Sequence, residues 1–189
     1  MKGKKVLLLN DTTNWYHFGC TATSFGLKEG ITTLGYDLTS YPVTETYKFS
    51  SFPTNATAFK DISNFEIFRQ NNPEIISLIE KNNIIVFNGE GTLHGVRSAP
   101  LSLLYIAYAS KIFLNKHVEI INHSMYPQDN LLLYNPEISG LYKLVYDTID
   151  FSSIREPISY ALAKKMNINA VESFDCMPLY IKSLQTSWQ

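Results

Sequence analysis

Cysteine is nearly absent. Cys20 and Cys176 are the two thiols of a 189-residue chain, far apart and with no second cysteine near either. A disulfide scaffold is excluded, and a reducing, cytoplasmic setting is expected. Charge is sparse as well: 17% of residues are Asp, Glu, Lys or Arg, the net charge is -1, and no basic run occurs. Nucleic-acid or anionic-membrane binding needs concentrated positive surface, so neither partner is expected. No apolar stretch reaches the roughly 18 residues of a membrane span. The run after the basic start, Val6–Leu9, is too short for the core of a secretion signal. The common nucleotide fingerprints, Gly-x-x-x-x-Gly-Lys-Ser/Thr and Gly-x-Gly-x-x-Gly after the first strand, are missing, as is a Gly-x-Ser-x-Gly elbow. No His, Cys and Asp cluster has metal-ligand spacing, so no metal is expected.

What is present is a globular composition, 45% hydrophobic, enough for one domain over residues 1–189. Apolar runs alternate with helical patterns. Lys4–Leu9 reads as a strand covered on both faces, followed by a polar, aromatic loop at Asn10–Gly19. Thr21–Leu34 reads as a helix closed by Gly35, and Tyr36–Val43 as a second strand. Thr44–Thr57 is turn-rich and reads as irregular. Ile62–Gln70 and Pro73–Lys81 suit helices, the latter with Pro73 in its first turn. Ile84–Phe87 is a third strand, Pro100–Asn115 an apolar helix, and Val118–Ile121 a fourth strand. Tyr126–Asn135 reads as a loop, Pro136–Tyr146 as a helix, and Thr148–Ser152 as a fifth strand. Pro157–Met166 is a further helix and Asn169–Ser173 a sixth strand. This alternation predicts an α/β fold with an open, mostly parallel sheet and helices on both faces, a Rossmann-like arrangement.

In such sheets ligands bind outside the carboxyl ends of the strands. The first strand is followed by Asn10, Asp11, Thr12, Thr13 and Asn14; the third by Asn88, Gly89, Glu90, Gly91, Thr92 and His94. Asn122, His123 and Ser124 follow the fourth, Arg155 and Glu156 the fifth, and Asp175 the sixth. Three of the four histidines, His17, His94 and His123, fall on this rim. Gly89 and Gly91 would let backbone approach a ligand, leaving Glu90 and His94 as candidate acid or base groups. The competing reading is turn punctuation, with Glu90 capping the next helix. His123, after an apolar strand, also reads as a hydrogen-bonded core histidine, and His117 as structural. Arg155 precedes a helix starting at Pro157 and suits an anion, or a surface pair with Glu156. Trp15, Tyr16, His17 and Phe18 suit a sugar ring or packing on the core. Cys20 opens a helix, where a thiol pKa can fall, and otherwise reads as an inert buried thiol.

Four segments, in order, resemble the polysaccharide pyruvyl transferase family: Asn14–Thr23, Asn88–His94, Ser153–Ser159 and Phe174–Pro178. The resemblance covers the family's first half. It implies the N-terminal Rossmann-like half of a two-domain architecture like that of the GT-B glycosyltransferases. It also implies transfer of pyruvyl from phosphoenolpyruvate to a sugar hydroxyl pair in capsule or exopolysaccharide biosynthesis, without a further cofactor. On that reading Arg155 contacts the donor anion, and Glu90 with Gly89 and Gly91 lines the cleft. The acceptor would be a saccharide or lipid-linked glycan, and a second domain or subunit would complete the cleft. Two alternatives stand beside it: a nucleotide-sugar-dependent glycosyltransferase-like domain and a non-catalytic glycan-binding module. The site set carried forward is Glu90 and His94 for catalysis, with Asn14, Gly89, Gly91, Thr92, His123, Ser124 and Arg155 for substrate binding.

Overall fold

The computed structural model describes residues 3–95, 97–125 and 136–186. The expected loop at Tyr126–Asn135 lies outside the described residues. In chain order the elements are β1 (Lys5–Asp11), α1 (Phe18–Thr33), β2 (Asp37–Pro42), α2 (Val43–Thr46), α3 (Ala56–Phe59), α4 (Ile62–Asn71), α5 (Pro73–Lys81) and β3 (Ile84–Glu90). Then come α6 (Ser98–Ile112), β4 (His117–His123), α7 (Pro136–Thr148), β5 (Phe151–Ile154), α8 (Pro157–Lys165), β6 (Val171–Glu172) and α9 (Met177–Thr186). The six strands form one open sheet in the order β2-β1-β3-β4-β5-β6, with every neighbouring pair parallel. The fold is α/β and Rossmann-like.

The continuous apolar strands are explained by burial on both faces. Leu7, Leu9, Ile85 and Phe87 face a large core built with α4, α5, α6 and α7. Val6, Leu8 and Val86, one residue out of phase, face a smaller core with Leu27 of α1. Leu7, Leu8 and Leu9 are all fully buried, and each such side chain contributes about 1.5–3 kcal/mol against exposure. In α5, Pro73 sits in the first turn with Glu74, and Lys81 in the last, as the helix dipole favours. Ile75, Ile76 and Ile79 form its buried stripe.

Several boundaries differ from expectation. β1, β3 and β4 run on to Asp11, Glu90 and His123, so Asn88, Gly89 and Glu90 belong to the strand and not to a loop. The asparagines at these strand ends are buried and bonded across the strands. Asn10 Nδ2 donates to Asn88 O at 2.6 Å, and Asn122 Nδ2 to Asn88 Oδ1 at 2.8 Å. Asn88 Nδ2 donates to Ser24 Oγ at 3.2 Å. An amide ladder thus crosses three strands. Residues 43–59 contain the short helices α2 and α3. α7 extends to Thr148, displacing β5 to Phe151–Ile154.

The last difference is α9, which packs along α1 on the smaller core's side. The close approach depends on Gly26. A Cβ there would stand 2.2 Å from the Cys176 carbonyl oxygen. Phe25 and Tyr180 stack beside that contact with ring centroids 5.6 Å apart. Asp175 accepts a hydrogen bond from Met177 N at 2.7 Å and so starts the helix.

Candidate functional site

α1 leaves β1 toward the smaller core, and α6 leaves β3 toward the larger one. The two chain exits therefore diverge and open a crevice at the β1/β3 boundary, where an α/β sheet binds ligands. A pocket of ≈ 380 Å³ occupies it. Thr12, Trp15, Cys20, Glu90, Arg155 and Asp175 carry its polar and aromatic lining.

Glu90 is the pivot. It is 5% exposed and adopts φ 45°, in the left-handed region that costs a residue with a Cβ free energy. Asn10 at φ 62° and Asn122 at φ 55° do the same on the flanking strands. There the β1/β2 and β4/β5 registers slip, between Leu9 and Asp11 and between Ile120 and His123. These kinks turn the strand ends toward the crevice. The Thr23 hydroxyl of α1 donates to Glu90 Oε1, Arg155 lies 3.5 Å from Glu90 Oε2, and Ser124 N donates to the Glu90 carbonyl at 2.7 Å.

Arg155 does not stand free for an anion. Its guanidinium donates to Asp175 Oδ2 at 2.7 Å, lies 3.5 Å from Glu90 and lies 3.6 Å from Glu156. One cation among three carboxylates leaves the cluster acidic. A phosphate entering here would first have to displace Asp175.

The other sequence candidates divide. Gly91 and Thr92 line the pocket with Glu90 and Arg155. Asn14 is exposed and outside the lining. Ser124 is outside it too, its hydroxyl spent on Glu156 Oε1 at 2.6 Å. Gly89 serves packing instead of ligand approach, because a Cβ there would lie 2.5 Å from His123 Cβ and 2.8 Å from its Cα. His123 is corrected from a substrate contact to a core residue. It is fully buried, its Nε2 donates to Leu93 O at 2.6 Å, and Tyr146 OH donates to Nδ1. That pairing fixes the neutral tautomer, and burial pushes its pKa down to about 3. His94 is also outside the pocket lining, with its Nδ1 buried and unpartnered.

Sequence reasoning missed Thr23, Tyr47 and Met177, and named Thr12, His17, Cys20 and Asp175 without placing them in the site. Tyr47 stacks on Trp15 at 6.1 Å, giving the pocket an aromatic wall. Cys20 is part-exposed there and not buried in the core. Its pKa is raised, by burial first and then by the Glu90 charge. Among the described residues no cluster of His, Cys, Asp or Glu is placed to hold a metal. No described helix is long and apolar enough to cross a membrane.

Fold and crevice together define an α/β protein with a pocket at its topological switch point. No family model matches the chain, and no curated protein matches it. Among solved structures it is similar to a "putative quinone reductase" from Klebsiella pneumoniae, at 9% identity and TM-score 0.44, over 98% of this chain and 85% of that one. A likeness of that size carries no argument about activity. Neither a family model nor a curated protein supports the expected pyruvyl transferase. With Arg155 enclosed by carboxylates, the phosphoenolpyruvate site that expectation required is not formed. The transferase reading is withdrawn.

Proposed function

We propose that this chain is the substrate-binding α/β unit of a small-molecule enzyme, with its centre at the β1/β3 crevice. The ligand is uncharged or cationic and carries a hydroxyl or amine. Its donor group meets Glu90, and its less polar face lies against Trp15, Val43 and Met177, which also line the pocket. The observation that carries this is Glu90 itself: a carboxylate held almost out of solvent, on a strained backbone, and facing a cavity. Such an arrangement is costly for stability and is kept where a carboxylate has work to do on a ligand. The acidic balance around Arg155 supports the choice of ligand charge.

The test is an amide NMR titration with ethanolamine, glycerol and inorganic phosphate. Ethanolamine and glycerol should shift the amides of Thr12, Thr23, Glu90 and Gly91 in the wild type and not in Glu90→Gln. Phosphate should leave them unmoved. Phosphate binding through Arg155 that survives Glu90→Gln would overturn the reading.

A further inference from the structure

The pocket wall opposite the strand ends carries a second chemical group. Cys20 is the third residue of α1, and its Sγ lies 3.8 Å from Nδ1 of His17, the residue before the helix. The juxtaposition is built. A Cβ at Gly19 would meet His17 Cε1 and Nδ1 at 3.3 Å, so the missing side chain keeps room for the ring against the first turn. No side chain caps that turn, and its first amides are open to a negative charge. Both residues line the same pocket as Glu90.

We propose that Cys20 and His17 form a thiol–imidazole pair, with Cys20 the nucleophile toward an electrophilic carbonyl on the pocket's ligand and His17 the acceptor of its proton. The proposal rests on the pocket reading above and adds a covalent step to it. The Cys20 S–H proton passes to His17 Nδ1, and the sulfur lone pair forms a bond to the carbonyl carbon. The carbonyl π pair moves to oxygen, and His17 returns the proton there. An aldehyde so captured becomes a thiohemiacetal, with no leaving group and no redox change.

The surroundings make the base necessary. Burial and the Glu90 carboxylate hold the thiol in its protonated form, so an unassisted sulfur reacts slowly. His17 is exposed to solvent and free to exchange the proton it receives. Cys176 is an internal reference on the same molecule, pushed up to about 12 by burial and by Asp175, and with no histidine partner among the described residues.

The experiment is iodoacetamide alkylation read by peptide mass spectrometry from pH 6 to 9, with and without D-glyceraldehyde. Cys20 should react about tenfold faster than Cys176, and His17→Ala should remove most of that advantage and change the pH profile. Glu90→Gln should speed Cys20, because a repelling charge is gone. D-Glyceraldehyde should protect Cys20 and leave Cys176 unaffected. His17 is exposed, so its variant should fold, which circular dichroism checks. A Cys20 rate unchanged in His17→Ala, or no faster than that of Cys176, overturns the pair. Absence of glyceraldehyde protection overturns the carbonyl assignment. Either failure with ethanolamine or glycerol shifts intact leaves the pocket reading standing, whereas loss of those shifts removes that reading itself.

Discussion

Replacing Gly26 by alanine puts the packing of α9 on α1 to a quantitative test. The new methyl would stand 2.2 Å from the Cys176 carbonyl oxygen, 3.1 Å from its carbon and 3.3 Å from Tyr180 N, where ordinary contact begins at 3.4 Å. All three neighbours are backbone, so no rotamer change relieves them, and residues 176–180 must retreat by more than an ångström. Overpacking of this kind costs about 1–3 kcal/mol. Alanine in place of glycine returns about 1 kcal/mol of helix propensity. Because the obstruction is rigid, the upper part of the overpacking range applies, and a net loss of about 1–2 kcal/mol is expected. Gly140→Ala in α7 is the matched control: the same change meets nothing within 4 Å and should stabilise by about 0.5–1 kcal/mol. Urea unfolding followed by circular dichroism reads both. Limited proteolysis adds the local view, since a displaced α9 should be cut first. The retreat also pulls Asp175 from Arg155 and Met177 from the pocket wall. A Gly26→Ala protein as stable and as protease-resistant as the wild type would refute the packing argument.

Other outcomes follow from single contacts. His123 has a lowered folded pKa of about 3 against an ordinary value near 6.5. The folded state therefore binds fewer protons than the unfolded chain between about pH 3 and 6.5, and stability drops by up to about 1.4 kcal/mol per unit as pH is lowered through that window; His123→Gln should flatten this slope in urea titrations at stepped pH. Asp150 is lowered: burial works to raise it, but the Lys111 hydrogen bond, the Val118 amide and the His117 and Lys111 charges outweigh that. Its contribution is present above the ordinary carboxylate range and lost as pH falls through the lowered value, so Asp150→Asn should lose stability at pH 7 and progressively less as pH falls below that range. Asn88→Ala removes the side-chain partner of Ser24 and of Asn122 at once and should cost about 2–4 kcal/mol, read as a lowered urea midpoint with an unchanged slope. The Asn88 backbone carbonyl remains for Asn10, which sets the loss below that of three separate bonds.

Part of this architecture is legible in the chain. The runs at Val6–Leu9 and Ile84–Phe87 are apolar at every position because helices cover both sheet faces, and that alone points to a parallel sheet. The strand ends were misjudged because Asn88, Asn122 and His123 satisfy their polar groups in the interior, through partners on other strands. Polarity reads as a loop until those partners are known. α9 escaped notice because its docking depends on the side chain that Gly26 lacks, and an absent side chain leaves no periodic signal. The rim residues do converge: Glu90, Gly91, Thr92 and Arg155 share one hollow. What the sequence could not convey is the balance of charge there. Asp175 reaches Arg155 from twenty residues further along, turning a presumed anion receptor into an acidic cluster.

The seam between α1 and α9 makes the cavity a junction of the chain's early and late parts. Asp175 and Met177 form its wall only while the final helix is seated. An occupant touching that wall and the strand ends together would hold the helix down, and looseness in the helix would weaken the occupant by the same free energy. Affinity measured at the crevice and amide exchange measured at the C-terminal helix are then two readings of one equilibrium.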